Sequence, residues 1–266
     1  MKELVIIKLG GSVVSDKSKS RGVFRKKIVE RLAGEILKAK KVRDFDLIIV
    51  HGAGSFGHPV AKKYNLHKGY LGPKSSEGFV LTKKAMFELS MLIWELLSKI
   101  GLNSCVVEPS AVIVAVGGKI NTFNTEFIEN LLSKNIVPVL FGDAVFDEKM
   151  GVSIISGDLM VSYLANKFKA DKVIFVSDVD GVFDKNPKVY KDAKLIGEVN
   201  EKNYKEIIKN MDIYNKNDIS GEMKGKILTI RDALGNTKVE IINGFKPDSL
   251  VNSLTKRLTV GTVISF

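Results

Sequence analysis

Apolar residues in this chain fall into short continuous runs separated by longer amphipathic stretches. Leu4-Val5-Ile6-Ile7 and Leu47-Ile48-Ile49-Val50 are aliphatic throughout and predict buried strands, the first ending at Lys8. Similar runs predict strands at Ser104–Val107, Val137–Phe141, Val173–Val176 and Val239–Ile242. Between Phe24 and Lys40, Ile28, Leu32 and Ile36 recur at helical spacing beside Val29, Ala33 and Leu37, which predicts an amphipathic helix. Met86, Leu89, Ile93 and Leu96 mark one face of a long helix over about Glu77–Ile100. Shorter helices are expected at Thr125–Lys134, Leu159–Phe168 and after Gly221, and Gly10-Gly11-Ser12 reads as a loop. Buried strands alternating with helices give the α/β class with a mostly parallel central sheet. Asp143–Ile155 breaks the alternation, because Phe146–Gly151 has the composition of a hairpin turn. Any division into lobes is expected near Asp171, within one continuous sheet.

Composition narrows the function classes. Hydrophobic residues make up 45% of the 266 residues and charged residues 27%, which excludes a disordered tail protein. No apolar run approaches a membrane span. The single cysteine, Cys105, has no internal disulfide partner, and no Cys/His cluster has zinc-ligand spacing. The apolar start is too short for a secretory signal, so a cytoplasmic protein is expected. The 41 Lys+Arg exceed the 30 Asp+Glu by 11. These lysines are scattered over helix faces without an RNA-binding aromatic signature or zinc finger, so no nucleic-acid partner is expected. A polyanionic small molecule is the better use for the charge.

In open α/β sheets ligands gather at the carboxyl ends of the strands. Those ends carry Lys8–Ser12, His51–His58, Gly142-Asp143 and Ser177–Gly181. Gly52–Gly57 matches G-x-G-x-x-G, but no acidic residue closes the next strand, which argues against a dinucleotide site. His58-Pro59 stands where a P-loop needs Lys-Ser/Thr, which rules out a Walker-type loop. Asp178 and Asp180 with Gly181 lack the remaining ligands of a calcium loop. Two small-residue loops that let backbone N–H groups approach phosphate do remain, Gly10-Gly11-Ser12 and Gly52–Gly57. Lys8 and Lys17 flank the first, and Pro59, a good first helical residue, follows His58. Two anion cradles on one sheet edge suit phosphoryl transfer. His51 reads as structural, and His67 and Cys105 carry no expected role.

Lys8-Leu9-Gly10-Gly11-Ser12 resembles the K-x-G-G-S opening of the amino acid kinase superfamily, and Ser177–Phe183 is similar to its T-D-V-D-G-V-Y nucleotide segment. Within that superfamily, His51–Pro59, Glu108-Pro109-Ser110-Ala111 and Ile154–Asp158 resemble isopentenyl phosphate kinases. The matches follow family order from Lys8 to Gly261-Thr262. The resemblance implies a three-layer α/β/α sandwich with an acceptor-binding lobe over about 1–170 and a nucleotide-binding lobe over about 171–266. It implies ATP with Mg²⁺, a small-molecule phosphate acceptor and a homodimer. Gly10, Gly11, Ser12 and Gly54 would cradle the ATP phosphates, Lys8 would lie between the two phosphate groups, and Lys17 would stabilise the transition state. His58 would hold the acceptor phosphate, with Ala53, Gly57, Gly157 and Asp158 shaping its site. Asp178, Val179, Asp180 and Gly181 would line the nucleoside pocket, and Asp218–Lys226 places Lys226 on the ATP terminal phosphate. Phe79, Met86 and Ile154 are candidates for an apolar tail pocket.

Two departures stand out. Glu222 replaces a glycine of the last motif beside the nucleotide, and Lys83 occupies an acceptor-side helix position where relatives commonly carry glutamine. The expected activity is ATP-dependent phosphorylation of a small alkyl monophosphate, isopentenyl phosphate foremost. A phosphonate kinase of the same fold and a non-catalytic nucleotide-binding protein are the alternatives.

Overall fold

The computed structural model describes residues 2–16, 22–214, 222–234, 237–255 and 259–266. Its centre is an eight-stranded sheet. Strands β1 (Glu3–Leu9), β2 (Phe45–His51) and β3 (Ser104–Val106) are followed by a hairpin of β4 (Ile113–Val116) and β5 (Lys119–Phe123). Next come β6 (Val137–Phe141), a second hairpin of β7 (Asp143–Asp147) and β8 (Gly151–Ile155), and β9 (Lys172–Ser177). The remaining strands are β10 (Val182–Phe183), β11 (Leu195–Ile196), β12 (Glu198–Val199), β13 (Lys238–Asn243) and β14 (Thr262–Ile264). The large sheet runs β12-β14-β13-β9-β1-β2-β6-β3. Every pairing in it is parallel except β13 with β14. β1 pairs with β9, so the sheet continues unbroken across Asp171.

Successive residues of a strand face opposite sides, and β1 shows what that does here. Leu4 and Ile6 pack into one core layer, while Val5, Ile7 and Leu9 pack into the other. A strand buried on both faces has no polar alternation, which is why these runs are continuously apolar. The first layer includes helices α6 (Glu126–Ser133), α7 (Gly157–Phe168), α8 (Tyr204–Tyr214) and α9 (Glu222–Leu234). The second includes α1 (Gly11–Val14), α2 (Lys26–Val42), α4 (Pro73–Lys99) and α10 (Ser249–Leu254). The architecture is a three-layer α/β/α sandwich. Two further helices, α3 (Gly54–Lys63) and α5 (Pro109–Val112), sit at the carboxyl edge of the sheet.

Several sequence expectations change in detail. Gly10-Gly11-Ser12 is not a plain loop: Gly11 opens the one-turn helix α1. Pro59 lies inside α3, which begins earlier at Gly54. The long helix starts at Pro73 instead of Glu77, with proline in its first turn, where no intrahelical donor is lost. The predicted turn at Phe146–Gly151 is a hairpin, and it joins Ile113–Phe123 in a separate four-stranded sheet, β5-β4-β7-β8, that periodicity did not reveal. Asp147 ties that sheet's turns together by accepting from the backbone N–H groups of Gly117, Gly118, Lys149 and Met150.

Candidate active site

The two glycine loops meet backbone to backbone. A Cβ on Gly11 would lie 2.6 Å from the Gly54 nitrogen, and one on Gly52 would lie 2.8 Å from the Gly11 nitrogen. Gly54 has φ +51°, and a Cβ there would fall 1.9 Å from Ser15 Oγ. That hydroxyl joins the loops, accepting from Ser55 N at 2.9 Å and donating to Gly11 O at 2.9 Å. Only residues without side chains allow this approach.

A cavity of about 600 Å³ opens on one side of the junction, and a second of about 230 Å³ on the other. The larger is bounded by Ala53, Gly57, His58, Met86, Ile154, Gly157 and Asp158, among others. The smaller is bounded by Gly10, Ser12, Asp178, Val179, Gly181 and Lys226, among others. Lys8 lines both. It stands near the carboxyl end of β1, between Val50 of β2 and Phe175 of β9.

Two buried ammonium groups and a half-buried carboxylate connect the cavities. The Lys8 Nζ lies 3.0 Å from Asp158 Oδ1, and the Lys226 Nζ lies 2.5 Å from Asp158 Oδ2. Asp158 occupies the first turn of α7, whose N-cap Ser156 accepts from Leu159 N, so the helix terminus favours the carboxylate as well. Burial pushes this carboxyl up, but Lys226 and Lys8 outweigh it and hold it well below the usual carboxylate range. The Lys226 ammonium also sits 4.5 Å from the centre of the Phe175 ring. Both ammonium groups are therefore held in place before any ligand arrives. Such fixed cations stabilise charge that develops between two phosphates without reorganising.

His58 is exposed at the wall of the larger cavity, on α3. His51 differs: it is fully buried, its Nε2 lies 2.8 Å from Ser90 Oγ, and its ring stacks on Phe141. Burial lowers its pKa to about 4, so it is neutral and structural.

The structure redistributes some expected residues. Phe79 lies outside the larger cavity, stacked on Phe146 at 5.2 Å. Lys83 is outside it too, ion-paired to Glu108 and Asp143. The α4 residues at the cavity are Thr82 and Met86, because a turn of helix presents a different face there. Asp180 does not line the smaller cavity; it accepts from Asn243 at 2.9 Å and Lys246 at 2.7 Å. Gly11 and Gly54 line the larger cavity, not the smaller, although their backbones form the junction. Lys17 lies outside the described residues, as does the Glu222 side chain. Sequence reasoning missed Lys185, Lys188, Met211 and Met223 around the smaller cavity. Lys185 and Lys188 follow the T-D-V-D-G-like segment closely enough to have been candidates; the two methionines carry no local signal.

The model of the amino acid kinase family matches residues 3–243. The isopentenyl phosphate kinase of Methanocaldococcus jannaschii is 36% identical over 270 residues, covering 99% of each chain. A solved isopentenyl phosphate kinase superposes with a TM-score of 0.85 at 31% identity, covering 98% of this chain and all of that one. A structure described as an isopentenyl phosphate kinase substrate complex superposes with a TM-score of 0.79 at 27% identity, over 98% of this chain and 99% of that one. With the catalytic-edge geometry and full-length similarity in agreement, the chain belongs to the amino acid kinase family, and within it to the isopentenyl phosphate kinases.

Proposed function

We propose that the protein transfers the terminal phosphoryl group of ATP to isopentenyl phosphate, producing isopentenyl diphosphate and ADP. The observation that carries this reading is Lys8 lining both cavities, with Asp158 and Lys226 holding charge between them. The larger cavity takes the acceptor, its phosphate at Lys8 and His58 and its tail against Met86 and Ile154. The smaller takes the nucleotide, with Asp178, Val179 and Gly181 at the nucleoside and Gly10, Ser12 and Lys226 at the phosphates. This assignment supports two lobes. All residues given for the larger cavity fall between Lys8 and Asp158, while the smaller adds Phe175 to Lys226.

An acceptor monophosphate has its second pKa near 6 and offers an anionic oxygen at neutral pH. That oxygen bonds to the terminal phosphorus as the bond to the ADP oxygen breaks, and no general base is required. Bringing two anions together is the barrier, and positioned cations lower it. Mg²⁺ bound with ATP would neutralise charge on its phosphates. A cytoplasmic location fits the ATP requirement.

A homodimer is part of the proposal. Val80, Phe87 and Met91 form an exposed apolar stripe at helical spacing on α4. Light scattering should show a dimer, and Phe87→Glu should shift it toward monomer.

Coupled ADP release tests the activity over isopentenyl phosphate, dimethylallyl phosphate, fosfomycin, UMP and acetylglutamate. Isopentenyl phosphate is expected to give the highest kcat/KM. A higher value with fosfomycin would favour the phosphonate kinase, and no acceptor-dependent release would favour a nucleotide-binding protein.

A further inference from the structure

Lys83 holds two carboxylates at once. One belongs to Glu108, the N-cap of α5, whose side chain also accepts from Ala111 N at 2.6 Å and from Ser110 Oγ. The other belongs to Asp143, the first residue of β7, whose side chain is wholly buried and accepts from Ala144 N at 2.9 Å. The ammonium also lies 5.3 Å from the Phe87 ring centre and 5.8 Å from that of Phe141. One ammonium shared by two carboxylates, one of them wholly buried, is an arrangement that seldom adds stability over apolar packing. Burial pushes the Asp143 carboxyl up to about 7 against the pull of Lys83, so losing the ammonium would strand it further. Such a cluster calls for a reason other than stability.

Its position supplies one. Thr82 and Met86, on either side of Lys83 along α4, line the larger cavity. Opposite them, Asp143 pairs with Ile155 and Ala144 with Ile154 in the β7–β8 ladder, and Ile154 and Ile155 line the same cavity. Asp143 lines the cavity too, so Lys83, itself outside it, fastens the helical wall to the strand wall through a carboxylate of that wall. We infer that Lys83 is a positioning residue that, through Asp143 and Glu108, fixes the separation of these walls and so sets which acceptor tails fit. The inference rests on the reading of this cavity as the acceptor site.

Steady-state kinetics of the full-length protein with isopentenyl phosphate and a ten-carbon prenyl monophosphate test it. Lys83→Met should raise the isopentenyl phosphate KM about tenfold while kcat and ATP KM move by about twofold or less. The preference for the shorter acceptor, as a ratio of kcat/KM values, should fall about tenfold. Lys83→Met/Asp143→Asn also removes the stranded carboxylate, which keeps the test open if that buried charge unfolds the single variant, and it should show the same split. Lys83→Arg keeps both ion pairs and should retain the preference. Unchanged acceptor KM and preference in a folded Lys83→Met or double variant would overturn the inference while leaving the acceptor assignment intact. A wild-type protein that turns over neither monophosphate would overturn both.

Discussion

The Lys8 ammonium lies 3.0 Å from the Asp158 carboxylate, although the residues are 150 positions apart and on different elements. Since Asp158 also holds Lys226, one carboxylate sets the spacing of the two lysines proposed to meet the transferring phosphates. Asp158→Asn should therefore remove the carboxylate charge that both buried cations share. We expect kcat to fall about 100-fold or more, as when other preorganised electrostatic groups are removed. Kinetics with thermal melting would check this, and near-normal kcat in a folded variant would refute it.

Lys8 and Lys226 should respond differently. Lys8 faces both cavities, so its charge matters most as negative charge crowds between the phosphates. Lys8→Met should lower kcat by about 10²–10³ with modest effects on either KM. Lys226 lines only the smaller cavity, proposed for the nucleotide, and Lys226→Met should raise ATP KM as well as lower kcat.

His58 offers a ring at the wall of the larger cavity, proposed for the acceptor. Losing one charge-assisted hydrogen bond is worth about 1.5–3 kcal/mol, so His58→Ala should reduce acceptor kcat/KM by about 10- to 150-fold. ATP KM should hardly change. Equal damage to both substrates would indicate a general structural role.

The loop junction makes a stability prediction with an internal control. Gly11→Ala pushes a methyl group into the Gly54 backbone and should cost about 1–3 kcal/mol by overpacking. Gly34→Ala lies in α2 with nothing within 4 Å of the added atom, and should stabilise by about 0.4–1 kcal/mol. Denaturant unfolding of both variants would measure the contrast.

Two buried groups give opposite pH dependences. Burial lowers the His51 pKa to about 4 from 6.5, so its contribution is full above 6.5 and lost as pH falls through 4. Burial raises the Asp143 pKa to about 7 from 3.8, so its contribution is full below 3.8 and lost as pH rises through 7. Melting curves should then show His51→Asn losing less stability than wild type on going from pH 7 to 4. Asp143→Asn should lose less than wild type on going from pH 4 to 7. Parallel wild-type and variant profiles would contradict the assignments.

The sequence by itself determined the strands that carry the site. Leu4–Ile7 and Leu47–Val50 are apolar at every position because both faces are covered, and the glycines after them are required by a backbone approach no side chain tolerates. Lys8 was legible for the same reason: an isolated charge closing a buried run has little use except at a ligand. Only the tertiary structure decided what spans elements. Asp158 reads locally as a helix-start acid, and its part in holding Lys8 and Lys226 exists only once α7, β1 and α9 converge. Along α4, periodicity found the helix and its core face, Met86, Leu89, Ile93 and Leu96, but not which residues flanking that face meet the cavity. Met86 lines the cavity as expected, but beside it stands Thr82, not Phe79 or Lys83. Lys83, Glu108 and Asp143 meet across separations of 25 and 60 residues, a contact no local pattern encodes because its geometry is fixed by how the helix packs on the sheet.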